Sequence, residues 1–425
     1  MYRQASRARS PTERDPLLGG SQCDSASQRR DRDWKSGASH AIKQIPATLA
    51  RTNANVLLLF VPLGIAAGAL HWESSVVFAL NFMAILPLAG LLSFATEELA
   101  ATLGPTLGGL VNATCGNAVE LIVGIIALMN RQIRIVQASM LGSLLSNILL
   151  VLGCCFLVGG VRYPEQSFNG TAASTMSSLM TVSSASLIIP ATLYASLSSV
   201  KDESHKNESI LFLSHWTAVV LLVVYVMYLY FQLKSHAHLF EGNWARDVED
   251  PGECNIVGEE EEDQGNIYRL SAWAASTALI IVTVLVAICA NYMVGSIDRT
   301  VEKMGISSTF IGTILIPIVG NAAEHATAVV VAFRGKMDLA INVAIGSSLQ
   351  ISLFVTPFLV VLGWIIEVDM TLDFHVFETV AIFLSNLVVV FLIQDGKSNY
   401  LEGCLCLGMY TILALAFYVY SEGIP

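Results

Sequence analysis

The stretch GNAAEHATAVVVA, residues 320–332, stands inside an apolar segment, with FIGTILIPIV before it and FRGK after it. Glu324 and His325 are therefore ionisable groups in a run that is otherwise hydrophobic enough to span a membrane. Such a group costs about 3 kcal/mol or more at the centre of a span and is by default functional. A near-copy, GNAVELIVGIIAL, occupies residues 116–128. The two stretches together indicate both the fold and the site.

The overall composition is that of a membrane protein. Hydrophobic residues make up 54% of the 425 residues and charged residues 13%, whereas soluble proteins carry about 25% charged residues. The net charge of −11 arises mainly in residues 241–266, which hold ten acids and one base, while the first fifty residues hold nine bases and five acids. We expect a transporter rather than an enzyme, with no nucleic-acid partner and no organic cofactor.

The eight cysteines form no pair of CxxC motifs, and most lie in apolar runs. We interpret them as small buried apolar residues, since a disulfide framework or zinc site needs a different spacing. No apolar segment directly follows the basic start of the chain, so we do not expect a cleaved signal peptide.

Repeated apolar stretches of roughly 20 residues predict an all-α polytopic membrane protein with eleven transmembrane helices. The serine- and threonine-rich fifth span is still viable, because its hydroxyls can bond back to the helix. The predicted spans are 54–70, 75–95, 106–129, 135–159, 171–197, 209–233, 269–293, 305–333, 338–366, 373–393 and 399–420.

The orientation follows from the excess of Lys and Arg at the N-terminus, which marks the cytosolic side. Eleven spans then place the acidic loop in the cytosol and the C-terminus in the lumen. Arg131 and Arg134 do not fit, because they fall in a short luminal loop. In this topology Asn169 of the NGT sequence is cytosolic and unmodified, and Asn207 of NES is luminal but close to the membrane.

The N-terminal region, residues 1–50, is predicted to be cytosolic and mostly disordered, because it is polar and lacks apolar periodicity. One short element, ERDPLLGG, resembles an acidic dileucine signal for cytosolic sorting adaptors. Chance is its rival explanation. The residues of this signal are Glu13, Leu17 and Leu18.

The two glutamate motifs are parts of a duplicated unit. Glu120 and Glu324 are 204 residues apart, and the same offset relates Gly142-Ser143 to Gly346-Ser347 in the following spans. Five crossings separate the glutamates, so the two copies enter from opposite sides, as in secondary transporters. The predicted organisation is a first helix at 51–74, five-helix repeats at 75–233 and 269–425, and an acidic cytosolic loop or helix at 234–268.

Each motif places small and amide residues ahead of its glutamate, and the glycines weaken the helix locally. With the two copies together, the site would hold two carboxylates, two amides and free carbonyl oxygens. This all-oxygen, doubly anionic shell suits Ca²⁺ better than Mg²⁺, zinc or copper. The predicted ligands are Gly116, Asn117, Glu120, Ser143, Ser146, Asn147, Gly320, Asn321, Glu324, Ser347 and Gln350.

The two carboxylates also suggest the coupling. Without Ca²⁺, two negative charges face each other in a poor dielectric, which favours binding of protons to the pair as a unit. The pair is neutral with one Ca²⁺ or with two protons, but the empty pair carries a charge of −2, so the empty carrier should rarely switch sides. We expect His325 to tune or relay protons. Its counterpart is Leu121, so the two halves differ.

Structural alternatives remain open for these residues. The glutamates could form a polar clamp, the amides and serines could serve as helix-packing contacts, and His325 could be a satisfied packing histidine. Glu97 and Glu98 are either an ion entrance or helix-end charges. The acidic run is either a solvated tract or a Ca²⁺-attracting regulatory helix, and it lacks EF-hand spacing. Its residues are Glu259, Glu260, Glu261, Glu262 and Asp263.

GNAVE and GNAAEH, with SFATEELA, GSLLSN and GSSLQI, closely resemble the cation/proton exchanger branch of the Ca²⁺/cation antiporter superfamily, in particular fungal vacuolar Ca²⁺/H⁺ exchangers. The resemblance covers the chain from about residue 40 onwards. It implies eleven helices, inverted repeats and proton-driven Ca²⁺ loading of the vacuole. It also maps the family's essential glutamates onto Glu120 and Glu324, its motif histidine onto His325 and its acidic motif onto 259–263. Relatives that move Mn²⁺ leave the substrate range open, and a homo-oligomer is also left open.

Three other functions compete with this hypothesis. The first is a Na⁺-driven exchanger of the same fold, although the family resemblance of GNAxE with a histidine favours protons. The second is a Ca²⁺ channel, which an inverted duplication with a buried two-glutamate site disfavours. The third is a membrane receptor or scaffold without transport activity.

Overall fold

A computed structural model describes residues 57–196, 203–239 and 271–420 of the chain. These residues belong to one compact unit, which begins at Leu49. The predicted sorting signal, the N-terminal region 1–50 and the acidic run 259–263 lie outside the described residues.

The described residues are almost entirely helical, as a chain must be where the bilayer offers its backbone no hydrogen-bond partners. The helices before the acidic segment are α1 (Phe60–Ala69), α2 (Ser74–Leu103), α3 (Pro105–Cys115), α4 (Ala118–Met129), α5 (Ile133–Leu145), α6 (Leu152–Arg162), α7 (Gly170–Ser196) and α8 (Glu203–Tyr230). The helices after it are α9 (Ala272–Gly295), α10 (Ile297–Met304), α11 (Ser308–Phe310), α12 (Ile316–Gly320), α13 (Ala322–Phe333), α14 (Met337–Gln350), α15 (Thr356–Ile365), α16 (Val376–Leu392) and α17 (Tyr400–Val419).

Wider π-helical turns join some of these helices into longer rods, and two short strands lie in loops. The π turns are Ser146–Val151, Phe231–Ser235, Ile311–Leu315 and Ile351–Val355, and a 3₁₀ turn covers Ala237–Leu239. Strand β1 (Gln166–Ser167) pairs antiparallel with β2 (Lys397–Ser398), with Gln166 opposite Ser398. This pairing brings the loop after α6 and the loop before α17 to the same end of the molecule.

Local sequence accounts for several helix ends. Gly104 adopts a φ of +81° between α2 and α3, a conformation that costs glycine little. Pro105 follows as the first residue of α3, where the missing N–H is not needed. At the start of α17, Asn399 and Glu402 form a capping box.

Two rods occupy the centre of the molecule. The two rods are the spans Ile133–Arg162 and Met337–Ile365. In each, 72% of the most apolar 18-residue stretch is buried, against 28–50% in the other long helices. Of the outer helices, α17 packs against α6 of the first rod and α8 against α15 of the second. Two further pairs of outer helices are α2 with α9 and α7 with α16. The rods therefore form the scaffold on which a central site can be built.

The prediction of a polytopic helical membrane protein is confirmed. Among the described residues, seven helices are long and apolar enough to cross a membrane, or up to nine if each bent pair counts as one span. All eleven predicted spans overlap an apolar helix or helix pair, but three of the helices concerned are shorter than 18 residues. The count of eleven therefore stays a prediction.

One predicted boundary needs correction. The second span was predicted to end near residue 95, with Glu97 and Glu98 at its end, but α2 continues to Leu103. The residues that follow the glutamates, LAATL, are mostly good helix formers and carry the helix about one and a half turns further. Both glutamates thus lie within the helix.

Candidate functional site: a buried pair of carboxylates

The first glutamate motif lies at a break between two helices. Helix α3 ends at Cys115, and α4 begins at Ala118 with a bend of 45° between them. Glu120 falls in the first turn of α4 and is 5% exposed. The first turn of a helix favours negative charge, because its free N–H groups and dipole point that way.

The second motif has the same local design. Helix α12 ends at Gly320, Asn321 interrupts the helix, and Glu324 lies in the first turn of α13. The predicted unwinding is short in both copies. Asn321 N–H still bonds Pro317 O at 3.0 Å, and Gly116 N–H bonds Asn112 O at 2.8 Å. The glycines therefore act less by freeing carbonyl oxygens than by leaving space.

Each glutamate approaches the glycine of the opposite motif. A Cβ atom at Gly320 would lie 2.6 Å from Glu120 Oε1, closer than real atoms allow. A Cβ at Gly116 would lie 3.7 Å from Glu324 Oε1. The two motifs thus lie side by side, with each carboxylate near the glycine of the other motif.

Hydrogen bonds between side chains connect the two halves of the chain near these carboxylates. Asn117 Nδ2 donates to Gln350 Oε1 at 2.7 Å, and Asn117 Oδ1 accepts from Ser347 Oγ at 2.9 Å. Asn147 Nδ2 donates to the same Ser347 Oγ at 3.0 Å. Every one of these bonds joins residues 200 or more positions apart. The amides and hydroxyls are therefore positioned by contacts between the halves.

The histidine also contacts the opposite half. His325 Nε2 lies 3.2 Å from Ser146 Oγ, at the start of the π turn between α5 and α6. A corresponding π turn, Ile351–Val355, begins directly after Gln350. Such turns often mark functional sites, because they shift the side chains that follow out of the regular helical pattern.

Several buried polar atoms at the site have no hydrogen-bond partner within the described part of the chain. They are Glu120 Oε1, Glu324 Oε2, and the Oδ1 and Nδ2 atoms of Asn321. Buried polar atoms are nearly always paired, so a group of orphans needs an explanation. All but the Asn321 amide nitrogen are oxygens, and a hard cation would satisfy them.

A small cavity of about 10 Å³, enough for one water-sized occupant, adjoins Glu120. Ser139, Ser143 and Gly320 contribute to its wall, with apolar side chains around them. The predicted ligand Ser143, 1% exposed, thus lies beside Glu120 rather than in the amide network around Asn117.

The predicted entrance residues Glu97 and Glu98 are described, whereas the predicted acidic run 259–263 lies outside the described residues. Glu97 is exposed on α2, where Ser93 Oγ donates to its Oε1 at 3.3 Å, and Glu98 is next to it.

Sequence reasoning missed Ser139, which lines the cavity beside Glu120, and Thr313, whose backbone oxygen packs close to Gly142. Ser139 lies one turn before Ser143 on the same face of α5, so an i, i+4 search around the motif would have found it. Thr313 lies in the π turn before α12 and has glycine as its counterpart 204 positions earlier. The repeat therefore could not have revealed it.

Fold and site together define a class, the polytopic helical membrane proteins with a buried, oxygen-lined acidic site between two halves of the chain. Within that class, the chain belongs to the sodium/calcium exchanger protein family, whose profile matches residues 73–234 and 275–419. The family resemblance predicted from the motifs is confirmed.

Characterised relatives match nearly the whole chain. A vacuolar calcium ion transporter of Schizosaccharomyces pombe is 47% identical over 410 residues, which cover 96% of this chain and 94% of the relative. A Ca²⁺/H⁺ antiporter of Synechocystis is 42% identical over 367 residues, covering 85% of this chain and 96% of that protein. The solved structure of native YfkE superposes with a TM-score of 0.71 at 34% identity, covering 86% of this chain and all of that chain.

Proposed function

We propose that this protein is a secondary Ca²⁺/H⁺ antiporter that loads Ca²⁺ into a vacuole by alternating access. The observation that carries the proposal is the pair of buried glutamates with unpartnered oxygens, each near the glycine of the opposite motif. The names of the relatives support the substrates and the vacuolar membrane. Ca²⁺ is the transported substrate in this proposal, and transport of Mn²⁺ is a further possibility to test.

The proposed mechanism uses the pair as one exchange site. Glu120 and Glu324 bind either Ca²⁺ or protons, and amides and hydroxyls complete the oxygen shell. The empty, doubly charged pair is disfavoured in the apolar interior, so reorientation occurs with Ca²⁺ or protons bound. His325, the residue after Glu324, is proposed to act on proton exchange, and the 3.2 Å contact of its Nε2 with Ser146 Oγ in the other half supports this role.

An eleven-span topology with inverted repeats is part of the proposal. Repeated local geometry supports it. Left-handed residues at Arg131 (φ +57°) and Gly335 (φ +80°) end the turns after α4 and α13, and they are 204 positions apart. Gln132 and Lys336, which follow them, have nearly the same backbone angles. A cytosolic N-terminus and luminal C-terminus complete the proposed topology.

The test of this function is Ca²⁺ flux in proteoliposomes with a pH gradient and no sodium. We expect saturable uptake driven by the pH gradient and loss of uptake in Glu120→Gln and Glu324→Gln, with both variants still folded in the membrane. Absence of uptake without sodium would instead favour a Na⁺-driven exchanger. Uptake at channel-like rates without saturation, or uptake retained in both variants, would refute the carrier mechanism.

A further inference from the structure

Three basic side chains share one surface at the end of the molecule that carries β1 and β2. They are Arg162, Arg334 and Lys336, hereafter the basic loop cluster, and all three are exposed. Arg162 ends the span Ile133–Arg162, and the other two lie in the turn between α13 and α14. Because these are ends of apolar helices, the cluster lies at the level of the membrane surface.

Contacts hold the two parts of the cluster together. Arg162 Nη1 donates to Phe333 O at 3.3 Å, and its guanidinium lies over the Phe333 ring at 4.8 Å and the Tyr163 ring at 5.5 Å. Gly335 packs on Tyr163, with 3.3 Å between a Cβ at that position and Cε2 of the ring. The guanidinium is therefore oriented by its aromatic neighbours, and most of its five N–H donors stay available.

The cluster lacks an acidic partner among the described residues. Acids at the same end are engaged elsewhere, since Glu165 pairs with Lys397 and Asp338 Oδ1 accepts from the Asn169 backbone N–H at 2.6 Å. The surface beside the cluster is apolar and faces outward, with Val161 78% and Phe333 48% exposed. Positive charge without counter-charge thus adjoins a surface suited to acyl chains.

We propose that the basic loop cluster is a binding site for the phosphate headgroup of an anionic phospholipid. Basic pockets between transmembrane helices at the membrane surface favour such headgroups, and each Lys or Arg contributes about 1 kcal/mol. The guanidinium presents paired donors that match phosphate oxygens, and the lysine adds a point charge. The acyl chains lie along Val161 and Phe333.

The experiment measures binding of phosphatidylserine to the purified full-length protein by native mass spectrometry and by titration into phosphatidylcholine nanodiscs. Arg162→Gln, Arg334→Gln and Lys336→Gln should each weaken binding about fivefold, and the triple variant on the order of 100-fold. High salt should weaken wild-type binding as well, because the charges are exposed. The Arg162→Lys/Arg334→Lys variant should bind more tightly than the triple Gln variant, because it keeps the charges, but more weakly than the wild type, because it loses the paired guanidinium donors.

Lys397→Gln is the matched control, because this base lies at the same end but already has the Glu165 carboxylate as its partner, which raises the pKa of Lys397. It should bind phosphatidylserine like the wild type. The proposal fails if the triple variant binds as tightly as the wild type, or if Lys397→Gln loses as much affinity. It also fails if the effect of the Gln variants on the protein is the same in phosphatidylcholine nanodiscs with and without phosphatidylserine. The cluster would then bind another partner, such as the protein's own acidic segment.

Discussion

At the scale of single residues, the site depends on two glycines as much as on two glutamates. Glu120 occupies the volume that a side chain at Gly320 would need, and Glu324 lies beside Gly116. The motif GNAxE therefore combines a carboxylate with space for the carboxylate of the other motif. At Gly320 this explains why glycine, an unfavourable residue within a helix, stands at this position.

We predict that Gly320→Ala lowers Ca²⁺ uptake roughly tenfold or more, because the added methyl group displaces the Glu120 carboxylate, and shifts of about 1 Å are costly at such sites. Uptake in proteoliposomes at equal protein density measures the effect. The matched control is Gly408→Ala on α17, where an added Cβ meets nothing within 4 Å. Normal uptake in Gly320→Ala would contradict the close contact between the motifs.

At the scale of elements, a buried ion pair anchors three helices at one end of the central rods. Arg134 in α5 forms a two-pronged bond with Glu378 at the start of α16, one of its contacts being 3.0 Å, and Glu378 is fully buried. Arg134 also donates to Thr309 of α11 at 3.4 Å. The rod that carries Ser143 and Asn147 is thereby fixed to the segment that leads to Glu324.

We predict that Arg134→Ala destabilises the protein by about 3 kcal/mol, because it leaves the Glu378 carboxylate buried without a counter-charge. The measurement is thermal unfolding in detergent. The double variant Arg134→Gln/Glu378→Gln should recover most of the loss, since neutral amides need no counter-charge. A double variant as unstable as Arg134→Ala would show that the charge pair is not the cause.

The turns after α4 and α13 give a second prediction at this scale. Gly335 has a left-handed backbone with φ of +80°, so Gly335→Ala should cost about 1 kcal/mol of stability. Arg131 has a similar conformation with a side chain, so Arg131→Gly should change stability by less than about 0.5 kcal/mol, because relief of strain and gain of chain entropy in the unfolded state offset each other. Thermal unfolding of both variants tests whether the two turns have the same backbone conformation. A larger loss in Arg131→Gly would contradict it.

At the scale of the whole molecule, the helical membrane fold could be predicted because it depends on patterns local in the chain, and the two glutamates could be singled out because their motif is repeated. Apolar runs mark the helices, and a motif repeated 204 residues later marks the site. The partners across the molecule could not be predicted in this way. Asn117 pairs with Gln350, and Arg134 with Glu378, through packing of helices distant in sequence.

Arg134 also shows why the rule that Lys and Arg mark the cytosolic side does not apply cleanly to this chain. As a base in a predicted luminal loop, it counted against the charge-based orientation. The structure pairs it with a buried acid, so it carries little net charge to the membrane surface. Charges engaged in such pairs should not be counted when orientation is inferred from Lys and Arg.

The most direct test of the shared two-carboxylate site is Ca²⁺ binding to the purified protein at several pH values, with simultaneous measurement of protons released. The account predicts that the protein binds Ca²⁺ more weakly as pH falls and releases protons when Ca²⁺ binds, and that Glu120→Gln and Glu324→Gln each lose both effects. Undiminished Ca²⁺ binding in either variant, or binding without proton release at any pH, would contradict it.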